Sequence, residues 1–158
     1  MYNFLLITLL LEFAGLQNAS YVTVKVTKYI KVSLPAEFSP MTMDDLVVKY
    51  PSPRKPTAMY TNPDRLVDFG LNETSNNWPA NDLELLKNIY RSNILNLYDT
   101  VFFIQQALQT INQRKFIVFE FLSGSEGKSI RGKRAPIIGT YSYILYTVYN
   151  DKILVFNF

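Results

Sequence analysis

Two segments of this chain carry apolar side chains on both faces of an extended backbone, and this constrains the fold more than anything else in the sequence. In Phe116–Leu122, Phe116 and Val118 oppose Ile117, Phe119 and Phe121. In Tyr141–Tyr149, Tyr141, Tyr143 and Leu145 oppose Ile144, Tyr146 and Val148. Side chains alternate across a strand, so a strand that is apolar on both faces must be covered on both. The expected fold is therefore α+β: an antiparallel β-sheet flanked by helices, in an α/β/α sandwich. A chain of 158 residues favours a single domain and can bury a core without staples. With 48% hydrophobic and 18% charged residues it is globular rather than disordered in composition.

The remaining elements follow from pattern and punctuation. Val22, Val24, Val26, Ile30, Val32 and Leu34 fall on even positions, so Tyr21–Leu34 reads as a strand, and Pro35 and Pro40 bracket a loop. Thr42-Met43-Asp44-Asp45 is a capped helix start, and Pro51 stops that helix after Tyr50. Pro51-Ser52-Pro53-Arg54-Lys55-Pro56 is a stiff extended connector. Thr57–Thr61 and Leu66–Leu71 form a hairpin around Asn62-Pro63-Asp64-Arg65. Asn77-Trp78-Pro79-Ala80 opens the main helix, whose stripe is Leu83, Leu86, Tyr90, Ile94 and Leu97, widened by Leu85 and Ile89. Thr100–Ile111, Lys115–Leu122, Pro136–Tyr149 and Ile153–Phe158 read as strands. Asn112-Gln113-Arg114 and Asn150-Asp151-Lys152 are short polar turns between them, as in antiparallel hairpins. Ser123–Ala135 reads as a mobile loop.

At the N-terminus, Phe4–Leu11 and Phe13–Leu16 form an apolar run interrupted by Glu12. Its length suits a signal-peptide core and is short for a membrane span, and Gln17-Asn18-Ala19 offers a cleavage point. No Lys or Arg precedes it. The alternatives are a buried strand or helix of the domain, or a start codon chosen in the wrong place. Residues 1–19 are thus a candidate signal peptide or apolar N-terminal segment, and 20–158 the domain. The expected location is exported (periplasmic, envelope-associated or secreted), with cytoplasmic as the alternative. Membrane association would come only through an uncleaved N-terminus.

Absent residue types narrow the chemistry. There is no Cys, so disulfides, thiolate metal sites and cysteine nucleophiles are excluded. There is no His, which removes the commonest general base and transition-metal ligand. No metal, cofactor or catalytic residue is expected. A net charge of +3 is too mild to call for nucleic acid. Gly124-Ser125-Glu126-Gly127-Lys128-Ser129 fails the phosphate-loop spacing, and no helix follows it, so no nucleotide is expected. Lys128, Arg131, Lys133 and Arg134 form a basic cluster that could meet an anionic surface or simply be solvated. Asp44 with Asp45 fits helix capping, and Asp64 with Asp68 brackets the hairpin. Glu120 interrupts an apolar strand. It marks either a site or an edge position facing Lys, Arg or Tyr from a neighbour. Trp78, Tyr60, Tyr50 and Phe69, near the rigid prolines and Arg54, are the first choice for a binding surface.

The order of elements resembles the PsbP-like α/β-sandwich family. Val32-Ser33-Leu34-Pro35-Ala36-Glu37-Phe38 looks like its opening. Lys49-Tyr50-Pro51, Arg54-Lys55-Pro56 and Tyr60-Thr61-Asn62 resemble a segment of small exported bacterial members whose roles are unassigned. Tyr98, Phe116–Phe121 and Val155–Phe158 are similar to its later strands. These are scaffold residues, so the resemblance carries over no catalytic residue. It implies a sheet sandwiched by helices and a non-enzymatic role in protein binding, without naming a partner. Such domains usually close with a C-terminal helix, whereas this chain stops at Phe158 within an apolar strand. The expected function is a non-catalytic exported domain that binds another protein. The alternatives are a carboxylate-based small-molecule-binding or hydrolytic enzyme around Glu120, and an anionic-surface binder through residues 128–134.

Overall fold

The computed structural model describes residues 5–7, 20–52, 54–126 and 137–158. They form mostly antiparallel sheet with two helices. The chain divides into two compact units, Met1–Asn72 and Glu73–Phe158.

In the first unit, β1 (Leu5–Ile7) pairs parallel with β3 (Ile30–Pro35), and β2 (Tyr21–Lys25) pairs antiparallel with β3 on its other side. The long strand expected over Tyr21–Leu34 is therefore two strands joined by a turn. Thr27 makes that turn: its hydroxyl accepts from the backbone N–H of Tyr29 and Ile30, at 3.2 and 3.1 Å. Ile30, Val32 and Leu34 are buried along one face of β3. A second set of strands runs β4 (Ser39–Pro40), β5 (Ala58–Thr61) and β6 (Asp68–Asn77), all antiparallel. Between β4 and β5 lies α1 (Met43–Lys49), opened by the expected cap as a reciprocal capping box between Thr42 and Asp45.

Strand β6 is shared, belonging to the second unit from Glu73 onward. There the order is β6, β10 (Lys152–Asn157), β9 (Ile137–Tyr149), β8 (Arg114–Glu126) and β7 (Thr100–Ile111). The last four strands form a meander. Its β7–β8 and β9–β10 turns place Asn112-Gln113 and Asn150-Asp151 at positive φ, the conformation that two-residue hairpins demand. Helix α2 (Leu83–Leu97) lies on one face of this sheet. Its Leu83, Leu86 and Ile94 join Ile117, Phe119, Phe121, Tyr146, Val148 and Ile153 in one core. Each such side chain contributes about 1.5–3 kcal/mol when removed from water. Leu97, expected on the buried stripe, is exposed.

Helix α2 starts later than the sequence suggested. Strand β6 continues through Asn77, and the Trp78 N–H donates to the Asp151 carbonyl at 2.8 Å, so the sheet holds that residue. A turn closed from Asp82 N–H to the Pro79 carbonyl follows, and Asp82 becomes the N-cap. The expected loop at Ser123–Ala135 also changes, because β8 runs on to Glu126.

Candidate binding face

On the sheet face away from α2, the side chains of Phe116, Val118, Leu145, Leu154 and Phe156 are buried. The expected two-sided coverage holds there and fails further along the same strands. Register aligns Phe102, Leu122 and Tyr141 in one row across β7, β8 and β9. All three are exposed, at 67%, 47% and 41%. Ile104 sits in a bulge between Phe103 and Gln105 and is also exposed. The next row is Gln105, Glu120 and Tyr143, and Tyr143 exchanges backbone bonds with Phe158.

One carboxylate lies in this apolar field. Tyr141 Oη donates to Glu120 Oε1 at 3.0 Å, so Glu120 faces a tyrosine from the neighbouring strand. Burial raises the Tyr141 phenol, and its bond to Glu120 and the negative charge there add to the effect, lifting it to about 12. Tyr143 is raised by burial and then by Glu120. The pair stays neutral on the tyrosine side at physiological pH. It thus offers a carboxylate, two phenols and surrounding hydrocarbon, a composition suited to a protein surface with an apolar anchor and a cation.

The residues singled out from sequence lie elsewhere. Tyr50 is 38% exposed, and its hydroxyl donates to Asp68 Oδ2 at 2.8 Å. Asp68 also accepts from Thr61 Oγ1 at 2.6 Å and from Lys49 Nζ at 3.0 Å. Asp45 completes the capping box and forms an ion pair with Arg65. These acids tie α1 to the β5–β6 hairpin, a role that their sequence pattern only half disclosed. Tyr60 is half-buried with its ring 6.3 Å from that of Phe69, which is fully buried and cannot face a ligand. Arg54 is exposed, its N–H bonded to Ser52 Oγ. Trp78 belongs to the second unit, half-buried against the α2 core, its indole N–H donating to the Asp82 carbonyl at 3.1 Å. Lys128, Arg131, Lys133 and Arg134 lie outside the described residues, as does the candidate cleavage point at 17–19. Among the described residues, no three acidic groups gather to hold a metal ion, and no helix is long and apolar enough to cross a membrane.

The sequence signal for the exposed row was present in Val101-Phe102-Phe103-Ile104, apolar on both faces like β8 and β9. What pattern alone does not supply is where the cover over the second face ends.

The solution structure of cyanobacterial PsbP (CyanoP) from Synechocystis sp. PCC 6803 matches with a TM-score of 0.56. The match covers 94% of this chain and 84% of that one, at 12% sequence identity. The fold is PsbP-like. At that identity the likeness concerns architecture alone. No family model matches the chain, and no curated protein matches it. The Phe102–Leu122–Tyr141 row lies on paired strands rather than on loops.

Proposed function

We propose that this chain is a non-catalytic, exported domain that binds another protein through the Phe102–Leu122–Tyr141 face. The observation that carries the reading is the exposed row itself. Contiguous apolar side chains on an ordered sheet are costly to leave in water and mark interaction surfaces. Rigid aromatics make good anchors because little side-chain entropy is lost on docking. Glu120 in the adjoining row favours a target that brings a Lys or Arg alongside its own apolar residues. The layers are read as an α/β/α sandwich, a reading that α2 on one sheet face supports for one outer layer. Export rests on the apolar run before residue 20.

The test is co-purification of tagged full-length chain from fractionated native cells, compared with a Phe102→Ser/Leu122→Ser double variant. One stoichiometric partner from the envelope or medium, lost in the variant, is expected. A partner that survives in the variant and is lost on substituting Tyr50 and Tyr60 would move the surface to the first unit. Recovery only from the cytoplasm, with Met1 retained, would overturn export.

A further inference from the structure

Strand β7 ends the sheet order of the second unit, and among the described residues it pairs with β8 alone. Among the described residues no strand pairs with its outer edge, and an edge of that kind is a template for another strand. Natural sheets blunt such edges with brevity, proline or charge. Two other outer strands here do so: β4 is two residues long and ends in Pro40, and β2 carries Lys25. Strand β7 does not. Its 12 residues, Thr100–Ile111, include no charged residue, no Pro and no Gly. The bulge at Ile104 leaves Gln105–Ile111 in unbroken register with β8, a stretch slightly longer than the usual strand of about 5–6 residues.

An edge of this kind takes an extended strand, and the side chains indicate which one. Antiparallel self-pairing about Leu108 sets Gln106 opposite Thr110, Ala107 opposite Gln109, and Gln105 opposite Ile111. The exposure pattern is symmetric about that same residue. Gln106 and Thr110 are exposed, and Gln105, Ala107, Leu108, Gln109 and Ile111 are all half-buried. Each residue therefore meets one of matching exposure, and no like charges face each other. We propose that a second copy of this chain adds its β7 antiparallel to this edge, giving a two-fold dimer with an isologous interface. This goes beyond the heterologous binding proposed above, because it uses the strand edge rather than the exposed face.

Sedimentation of the full chain over a concentration series tests it. The expected result is a rise from one to two chains, with backbone amides within Gln105–Ile111 gaining hydrogen-exchange protection as the dimer forms. A basic variant, Gln106→Lys/Thr110→Lys, and an acidic one, Gln106→Glu/Thr110→Glu, should each be monomeric with unchanged circular dichroism. Both positions are exposed; Gln106 gives up the bond its amide oxygen accepts from Arg91 Nε at 2.8 Å, and the unchanged circular dichroism is the control that folding is spared. Mixing the two should restore a dimer containing one of each. A wild-type chain that stays monomeric to its solubility limit overturns the proposal. So does a dimer that persists in both variants, or one abolished by Phe102→Ser but not by the edge substitutions. The protein-binding face stands or falls separately, on the Phe102→Ser/Leu122→Ser experiment.

Discussion

Asp68 shows how one residue can hold an element in place. Its carboxylate accepts from Lys49, Tyr50 and Thr61, joining the end of α1 to the β5–β6 hairpin. Removing a partly buried acceptor leaves its donors unpaired, which costs about 1–3 kcal/mol. Asp68→Ala is expected to lose that much in urea unfolding, while Asp64→Ala, at an exposed turn position, should stay within about 0.5 kcal/mol of wild type. Equal effects would remove Asp68 from this role. Tyr141 governs a different property, the response to alkali. Its folded-state phenol titrates at about 12, above the unfolded value of about 10. Tyr90, Tyr143 and Tyr146 are raised as well, each chiefly by burial. Between those pH values the folded state holds more protons than the unfolded one, so stability is intact below about pH 10 and falls as pH rises toward 12. Urea midpoints across this range should decline, and decline less steeply in Tyr141→Phe. An identical decline in the variant would separate Tyr141 from the effect.

Elements differ in how plainly the sequence announces them. The meander β7–β10 is legible nearly to the residue at its β7–β8 and β9–β10 turns, where polar pairs headed by Asn interrupt long apolar runs, but not at the end of β8, which passes Leu122 and runs to Glu126. The break between β2 and β3 is not legible. Val26 and Ile30 are four apart, so the even-numbered alternation passes through the turn undisturbed, and only Thr27, through its hydroxyl, signals it. The start of α2 was misplaced because Pro79 suits a first helical turn, whereas a backbone bond from Trp78 to distant Asp151 holds that residue in the sheet. The exposed row does not include Tyr50 or Tyr60, for a related reason. Tyr50 and Tyr60 are partnered within the first unit, and the exposed row depends on where tertiary cover stops, which no local pattern encodes. The β7–β8 turn carries its own test. Gln113 has φ of 64°, a left-handed conformation that costs an L-residue about 1–2 kcal/mol. Gln113→Gly makes the preferred Asn-Gly pair and should stabilise the protein, by up to about 1 kcal/mol after glycine's greater unfolded freedom is counted. A lower urea midpoint would contradict this account.

At the scale of the molecule, a chain of PsbP-like fold divides into two compact units, with the boundary inside strand β6. The chain has one tryptophan, and it lies in the second unit, half-buried against the α2 core with its indole N–H bonded to Asp82. That placement has an optical consequence. Intrinsic indole emission reports from within the second unit, while far-ultraviolet ellipticity sums over both. If the units melt together, the two signals will share a midpoint. If β1–β3 and α1 let go first, ellipticity will fall while Trp78 still emits from its folded surroundings, and the interval between the curves will measure how independent the units are.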